Sequence, residues 1–224
     1  MNYHIEFDLD FKRNMYPGKF IVLEGVDGSG KTTQVRNLAE KLSHTHTVFT
    51  TKNPTAGPIG KFIRDVLVEK VKVPLISIQY LYSADRQMQQ EEIIERLKKG
   101  ETIISDRYFW SALAYGIVDR GGDLNEQTEL LLVSQSILSM YHQFILPDLT
   151  IYLDVPVAVG LERMAQIEGK IHEIYEEKAK LEKISEAYKW VIKQFSKEIT
   201  VVDGTKPERE ITDTVLSLVK SIKK

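Results

Sequence analysis

At 224 residues the chain is long enough for one domain with lobes, or two at most, and for a core that needs no staples. An apolar fraction of 42% and a charged fraction of 28% exclude a mainly disordered chain, and 13 glycines and 7 prolines exclude a collagen-like or low-complexity one. Thirty Lys and Arg against 32 Asp and Glu give a net charge of −2, which argues against a wholesale nucleic-acid or membrane surface but leaves room for a local basic pocket.

Residues 1–18 read as a short extension ending at the Pro17-Gly18 turn, with a strand or a loosely packed tail over residues 4–9. The apolar run 20–23 predicts a buried strand, and a Gly-rich turn leads into a helix over 31–42. A β-branched run predicts a second strand over 47–51. Ile59, Phe62, Ile63, Val66 and Leu67 recur at helical spacing, and a long helix is expected over 76–99, stopped by Gly100. A third strand, 102–105, closes on Asp106, and a helix begins near Tyr108. Asp123 and Glu126 have capping-box spacing for a helix over 125–145. A fourth strand follows at 149–153, then a helix opened by Pro156, a fifth strand at 199–202 and a last helix from 208. The charge run 173–197 reads mostly as a solvated helical face. Strands alternating with helices predict an α/β fold with a mostly parallel sheet.

The strongest motif is Gly25-Val26-Asp27-Gly28-Ser29-Gly30-Lys31-Thr32, a complete G-x-x-x-x-G-K-[ST] between a predicted strand and a predicted helix. The glycines let successive N–H groups converge on phosphate oxygens, and the helix adds the positive end of its dipole. Lys31 would neutralise the β and γ phosphates and Thr32 would offer its hydroxyl to Mg²⁺. Asp106, closing a strand, sits where a carboxylate near the metal is needed, and would also cap the next helix.

The loop alone does not separate the phosphate chemistries. No Asn-Lys-x-Asp motif for guanine is present, and Asp106 is followed by Arg107 rather than by a Glu base for water. A nucleoside kinase wants a general base, yet strand two runs into Lys52-Asn53. A nucleotide kinase needs cations to hold two repelling anions in line, and Arg107, Arg86, Arg64 and Lys52 meet that demand.

The sequence resembles the thymidylate kinase family from about Lys19 onward, in four blocks: FIVLEGVDGSGKTTQ (20–34), LYSADR (81–86), DRYFWSALAY (106–115) and PDLTIYLDV (147–155) followed by Leu161-Glu162-Arg163. The resemblance implies an α/β P-loop NTPase fold over 19–224, with a five-stranded parallel sheet flanked by helices and a mobile lid at about 165–180. It implies phosphorylation of dTMP to dTDP by direct in-line transfer from ATP, with Mg²⁺ as cofactor. By resemblance, residues 25–33 (including Thr33) and Arg163 bind ATP. Tyr82 stacks on thymine, and Arg86, one turn on, bonds its carbonyl edge. Arg107 bridges the two phosphates. Asp27 reaches the sugar 3′-hydroxyl, or the metal through water. Tyr115 faces the sugar 2′ carbon, and Arg64 and Lys52 hold phosphate. Thr32, Asp106 and Asp27 form the metal group; Lys31, Arg107, Asp106 and Lys170 the catalytic one.

Two departures stand out. Where the family often carries Arg-Glu-Pro after strand two, this chain has Lys52-Asn53-Pro54, which keeps a cation without the planar fork of arginine. Residues 165–180 hold no arginine, so Lys170 or Lys178 would stabilise transition-state charge at one point only. These features leave two alternatives: a kinase for another pyrimidine nucleotide or a deoxynucleoside, or a catalytically weak nucleotide-binding regulator. The expected protein is cytoplasmic and homodimeric, with nucleotides as partners and neither nucleic acid nor membrane. Leu131, Leu132, Ile137 and Leu138 would serve the interface or the core.

Overall fold

The computed structural model describes residues 10–121, 126–169 and 171–224. The expectations for residues 4–9, for Asp123 and for Lys170 lie outside them.

Five parallel strands form the central sheet: β2 (Phe20–Glu24), β3 (Val48–Lys52), β4 (Thr102–Asp106), β6 (Leu149–Asp154) and β7 (Ile199–Asp203), in the order β3-β4-β2-β6-β7. β2 lies at the centre and is buried along its whole length, which is why it reads as a continuous apolar run. Its side chains alternate between two cores. Ile21 and Leu23 meet α1 (Lys31–Ser43) and α8 (Glu208–Ser221). Phe20 and Val22 join the core formed with α2 (Pro58–Leu67), α3 (Leu75–Lys98), α4 (Phe109–Asp119), α5 (Gln127–Leu138) and α7 (Lys178–Gln194). α6 (Val157–Ala165) follows β6, with Pro156 at its N-cap. Glu24, Lys52, Asp106, Asp154 and Asp203 all close strands at one edge of the sheet, the edge where open parallel sheets bind ligands.

One element departs from the sequence reading, and two are tied in more closely than it showed. The helix expected over 125–145 ends at Leu138. Beyond it the amides of Met140, Tyr141 and Phe144 each bond a carbonyl three residues back. That tight turn rotates Tyr141 and Phe144 into the aromatic core and frees β5 (Ile145–Leu146) to pair with β1 (Lys12–Arg13). Residues 10–18, the described part of the segment read as an extension, are tied to the domain. Phe11 stacks on Phe109 with centroids 5.8 Å apart, Arg13 pairs with Glu198, and Asn14 Nδ2 donates to Asp148 at 2.7 Å. α7 carries its charged residues on a solvated face as read, and besides them Leu181, Ile184, Ala187, Tyr188 and Val191 form a buried stripe packed against α4 that the sequence reading did not pick out.

Candidate active site

The turn between β2 and α1 takes its shape from glycine. Gly28 (φ 77°) and Gly30 (φ 97°) occupy left-handed backbone. A Cβ on Gly28 would lie 2.1 Å from the carbonyl oxygen of Gly160, and one on Gly160 would lie 2.7 Å from that of Asp27. The loop therefore rests directly on the backbone of α6. Gly30 caps α1 without a side-chain bond, so the first-turn amides are left for a phosphate. Lys31 Nζ donates to the carbonyls of Gly25 (3.1 Å) and Val26 (2.8 Å), and Thr32 Oγ1 donates to Asp106 Oδ2 at 2.5 Å.

Lys31 is buried, and its ammonium is lowered to about 8. Burial is the main cause and repulsion from Arg107 the second, opposed by Asp106, Asp27 and Glu24. Polyphosphate beside the ammonium would raise its pKa, so the bound state holds more protons than the free state above pH 8. ATP binding should therefore take up about three-quarters of a proton at pH 8.5, approaching one at higher pH, where affinity should fall about tenfold per pH unit. Titration calorimetry at pH 8.5 in two buffers of different ionisation enthalpy reads this directly. A buffer-independent enthalpy at that pH would show that Lys31 is already fully charged.

Arg107 joins the loop to the rest of the cleft. Its Nη2 donates to Asp27 Oδ1 (2.5 Å) and to the Tyr115 hydroxyl (2.9 Å). Its Nη1 reaches the Gly25 carbonyl (3.0 Å), Ser111 Oγ (3.1 Å) and the Tyr188 hydroxyl (3.2 Å). Tyr115 in turn donates to Asp27 Oδ2 at 3.0 Å. Burial opposes the charge on Arg107, but Tyr115, Asp27 and Tyr188 outweigh it and hold its pKa well above the ordinary value. Burial likewise works against Asp27, and Arg107 with Lys31 overcomes it, so Asp27 is held below the usual carboxylate range. Both Asp27 oxygens face Arg107 and Tyr115, whereas Thr32 and Asp106 pair with each other.

Behind this group lies Glu24, fully buried. One of its oxygens accepts from the amides of Tyr108 (2.9 Å) and Ser111 (3.2 Å); the other accepts from Ser111 Oγ and the Tyr188 hydroxyl (3.0 Å). Burial pushes its carboxyl up, against those hydrogen bonds and the charge of Arg107.

A narrow pocket opens beside Asp27. Tyr82, Arg86, Arg107, Ser111, Tyr115 and Tyr175 are among its walls. Arg86 is buried, with its guanidinium 5.3 Å from the Tyr82 ring centroid and 5.7 Å from that of Tyr141. Its Nη1 makes two long bonds of 3.4 Å, to the Tyr82 carbonyl and the Tyr141 hydroxyl, and its Nε has no partner. A desolvated guanidinium so poorly satisfied is poised for an acceptor. Asn53 Oδ1, on the same wall, is also buried without a partner.

A wider cleft runs from there across the phosphate loop. Lys31, Thr32, Thr33, Lys52, Arg64, Arg107, Arg163 and Lys206 line it, with Asp106 on its floor. Arg163 Nη2 donates to the Gly204 carbonyl at 3.0 Å, and its Nη1 reaches the Ser29 carbonyl at 3.5 Å. Arg64 donates to the Pro54 carbonyl at 3.0 Å. Lys178 sits in the first turn of α7 and pairs with Glu182 of its own helix.

The structure thus brings the predicted site residues it describes to two adjoining cavities: Tyr82, Arg86 and Tyr115 line the narrow one, Lys31, Thr32, Thr33, Lys52, Arg64, Asp106 and Arg163 the wide one, and Asp27 and Arg107 both, while Gly25 and Val26 line neither and accept from Lys31 through their carbonyls. Sequence reasoning missed Glu24, Gly160, Tyr175, Tyr188 and Lys206. Gly160 had a signal, a glycine inside a helix, which marks close backbone approach. Glu24 had one too, as a carboxylate closing an apolar strand, the same argument that found Asp106. Tyr188 had none, since it lies 81 residues from Arg107.

Comparison with known proteins shows which family the chain is similar to. A family profile described as thymidylate kinase matches residues 23–215. A probable thymidylate kinase of Pyrococcus horikoshii is 36% identical over 91% of this chain and 96% of its own. A thymidylate kinase of Staphylococcus haemolyticus is 32% identical over 88% and 93%. The solved structure of a thymidylate kinase from Candida albicans superposes with a TM-score of 0.76 at 27% identity, covering 91% of this chain and 92% of that one.

Proposed function

Because the chain belongs to the thymidylate kinase family and so transfers the γ-phosphoryl group of ATP to dTMP, we propose that its two connected cavities divide the work between donor and acceptor. The alternatives, a kinase for another pyrimidine nucleotide or a deoxynucleoside, or a catalytically weak nucleotide-binding regulator, are not favoured. The observation that carries the division is Arg107, which stands between the phosphate loop and the narrow pocket, with Nη1 on the Gly25 carbonyl of the loop and Nη2 on the Tyr115 hydroxyl of the pocket wall.

In the wide cleft, the α1 amides and Lys31 hold the β and γ phosphates, and Arg163 lies along the adenosine side. Lys52 and Arg64 steady the acceptor phosphate. Thr32 Oγ1 and Asp106 Oδ2 are hard oxygen donors at adjacent positions, a pair that suits Mg²⁺ and leaves its other positions to phosphate and water. The metal would supply charge neutralisation at the phosphates. No cluster of three His, Cys, Asp or Glu fit to hold an ion occurs among the described residues, which accords with a metal shared with the nucleotide. In the narrow pocket, Tyr82 stacks on the base, Arg86 donates to its carbonyl edge and Asp27 accepts from the sugar 3′-hydroxyl. Tyr115 closes off the 2′ position. The acceptor phosphate is already anionic, so no base is required. Arg107 spans both phosphates and holds them in line.

Segment 165–180 acts as the lid. Among its described residues, Ile167, Glu173 and Glu176 line the wide cleft and Glu173 and Tyr175 the narrow pocket, and Ile167 and Ile171 expose apolar surface that closure would bury, excluding water as a competing acceptor. With no arginine in that segment, Lys170 is the cation we assign to the transferring phosphate. A cytoplasmic homodimer belongs to the same proposal. Leu131 and Leu132 are exposed on α5 and suit an interface, whereas Ile137 and Leu138 belong to the core. No helix among the described residues is long and apolar enough to cross a membrane.

A coupled ADP-release assay with Mg-ATP against dTMP, dUMP, UMP, CMP and thymidine tests this reading, dTMP being the expected preferred acceptor. Arg86→Ala removes a buried charged donor and should raise KM for dTMP by roughly 100-fold with KM for ATP unchanged. Tyr82→Ala should raise it about tenfold. Equal effects on both substrates would place the base elsewhere.

A further inference from the structure

The acceptor pocket takes its walls from three separate pieces of chain: Tyr82 and Arg86 on α3, Tyr115 on α4, and Tyr175 on the link before α7. One carboxylate outside the pocket touches all three pieces. Asp119 closes α4, one turn beyond Tyr115. Its Oδ2 accepts from Gln79 Nε2 of α3 at 2.8 Å, and the Tyr175 hydroxyl donates across both its oxygens at 2.9 and 2.8 Å. Gln79 is fully buried and lies one turn before Tyr82.

The packing around this hub is close. Gly116, next to Tyr115, is where α3 meets α4: a Cβ there would lie 3.2 Å from Gln79 Oε1 and 2.5 Å from Ile137 Cδ1. The Tyr175 ring is buried and meets the Tyr115 ring edge-on, with centroids 5.0 Å apart and planes at 87°. The residue before it, Ile174, is fixed through its main chain, donating to the Leu67 carbonyl of α2 at 3.0 Å and accepting from Lys180 Nζ at 2.8 Å. The Tyr175 side chain is fixed by Asp119.

We propose that Asp119 is a positioning residue for the acceptor, holding Tyr175 against Tyr115 and so setting the width of the pocket between α3, α4 and the link. The inference rests on the acceptor pocket assigned above and adds to it a residue that never touches the substrate. Burial lifts the Asp119 carboxyl to about 6, opposed by the bonds from Tyr175 and Gln79 and by the charge of Lys180, so it remains an acceptor at assay pH. Without the carboxylate, the Tyr175 hydroxyl would be buried beside nothing that accepts its proton, and the ring would leave the pocket wall to find water.

Steady-state kinetics on the full chain test this. Asp119→Ala should raise KM for dTMP about tenfold, with KM for ATP unchanged and kcat within about threefold. Tyr175→Phe should do the same. The double variant should be no worse than Asp119→Ala alone, because both changes remove one bond. Asp119→Asn should stay within about threefold of the parent. Its amide carbonyl can accept from Tyr175, and its NH₂ can donate to Gln79 Oε1, a buried acceptor with no present partner. Additive losses, an unchanged KM for dTMP in Tyr175→Phe, or a parallel rise in KM for ATP would each overturn the proposal. If Asp119→Ala does not fold, Asp119→Asn and Tyr175→Phe carry the test. Arg86→Ala run alongside separates two failures. If it raises KM for dTMP while Tyr175→Phe does not, the Asp119 inference alone is wrong; if neither does, the pocket itself is misassigned.

Discussion

Arg107→Ala should lower kcat by about 10³-fold, near the low end for arginines that stabilise a transferring phosphoryl group. The reason is the number of groups that converge on it. Its two terminal nitrogens reach Asp27, Tyr115, Gly25, Ser111 and Tyr188, so the planar fork is fixed before any substrate arrives. Preorganisation of this kind removes the reorganisation that water would otherwise undergo during transfer. Arg107→Lys keeps the charge but places it at one point, and cannot face the donor and acceptor sides together. It should recover no more than about tenfold of the loss. The backbone at Arg107 has φ 72°, and neither variant relieves that strain, so both should show the same local backbone cost. Single-turnover rates with saturating ATP and dTMP make the comparison. A rate for Arg107→Ala within tenfold of the parent would mean that another cation in the cleft bears the developing charge.

The fold was legible because the informative segments were local. β2, β3, β4, β6 and β7 each read as a short apolar or β-branched run between turn signals, and their boundaries fell within a residue or two. Where the reading failed, tertiary contacts decided. Nothing in the wording of residues 139–146 says that Tyr141 and Phe144 are needed in an aromatic core beside Phe109 and Tyr108, yet that packing stops α5 and makes β5. α7 carries enough Lys and Glu to hide its buried stripe, because long charged residues occupy the flanks of that stripe as well as its outer face.

The site divides in the same way. Gly25 to Thr32 form a contiguous motif whose chemistry is readable in one dimension. Tyr82 with Arg86, and Asp106 with Arg107, are neighbours along the chain, and the structure brings both pairs to the cleft. The supporting layer is long-range. Glu24 meets Ser111 across 87 residues and Tyr188 across 164, and Asp119 meets Tyr175 across 56. Such pairs leave no spacing signal. The departure at Asn53 is now placed: it lies buried between the two cavities, with its side-chain nitrogen 3.5 Å from Gln89 Oε1.

The second large effect is expected at Glu24, and it should appear first in stability. Its carboxylate lies within the sheet's central strand, shielded from water, and accepts from two main-chain amides and two hydroxyls. Glu24→Ala would leave the amides of Tyr108 and Ser111 buried without acceptors and would remove a negative charge near Arg107. Breaking a buried charged network in this way costs about 3–5 kcal/mol, which for a chain of this size is a fall in Tm of roughly 10 °C. Glu24→Gln should cost much less, because the two sides of the carboxylate face different partners. The amides can only donate, so the side-chain carbonyl must turn toward them. The NH₂ then faces Ser111 Oγ and the Tyr188 hydroxyl, which can rotate to accept. Activity separates this from a purely structural role. Ser111 and Tyr188 also accept from Arg107 Nη1, so a glutamine NH₂ would share their lone pairs with Arg107 and reorient both hydroxyls, weakening two of its five contacts. Glu24→Gln should therefore melt close to the parent yet turn over about tenfold more slowly, with KM for ATP unchanged. A glutamine variant equal to the parent in both melting and kcat would show that Glu24 serves the core alone and that Arg107 is held from the Asp27 side.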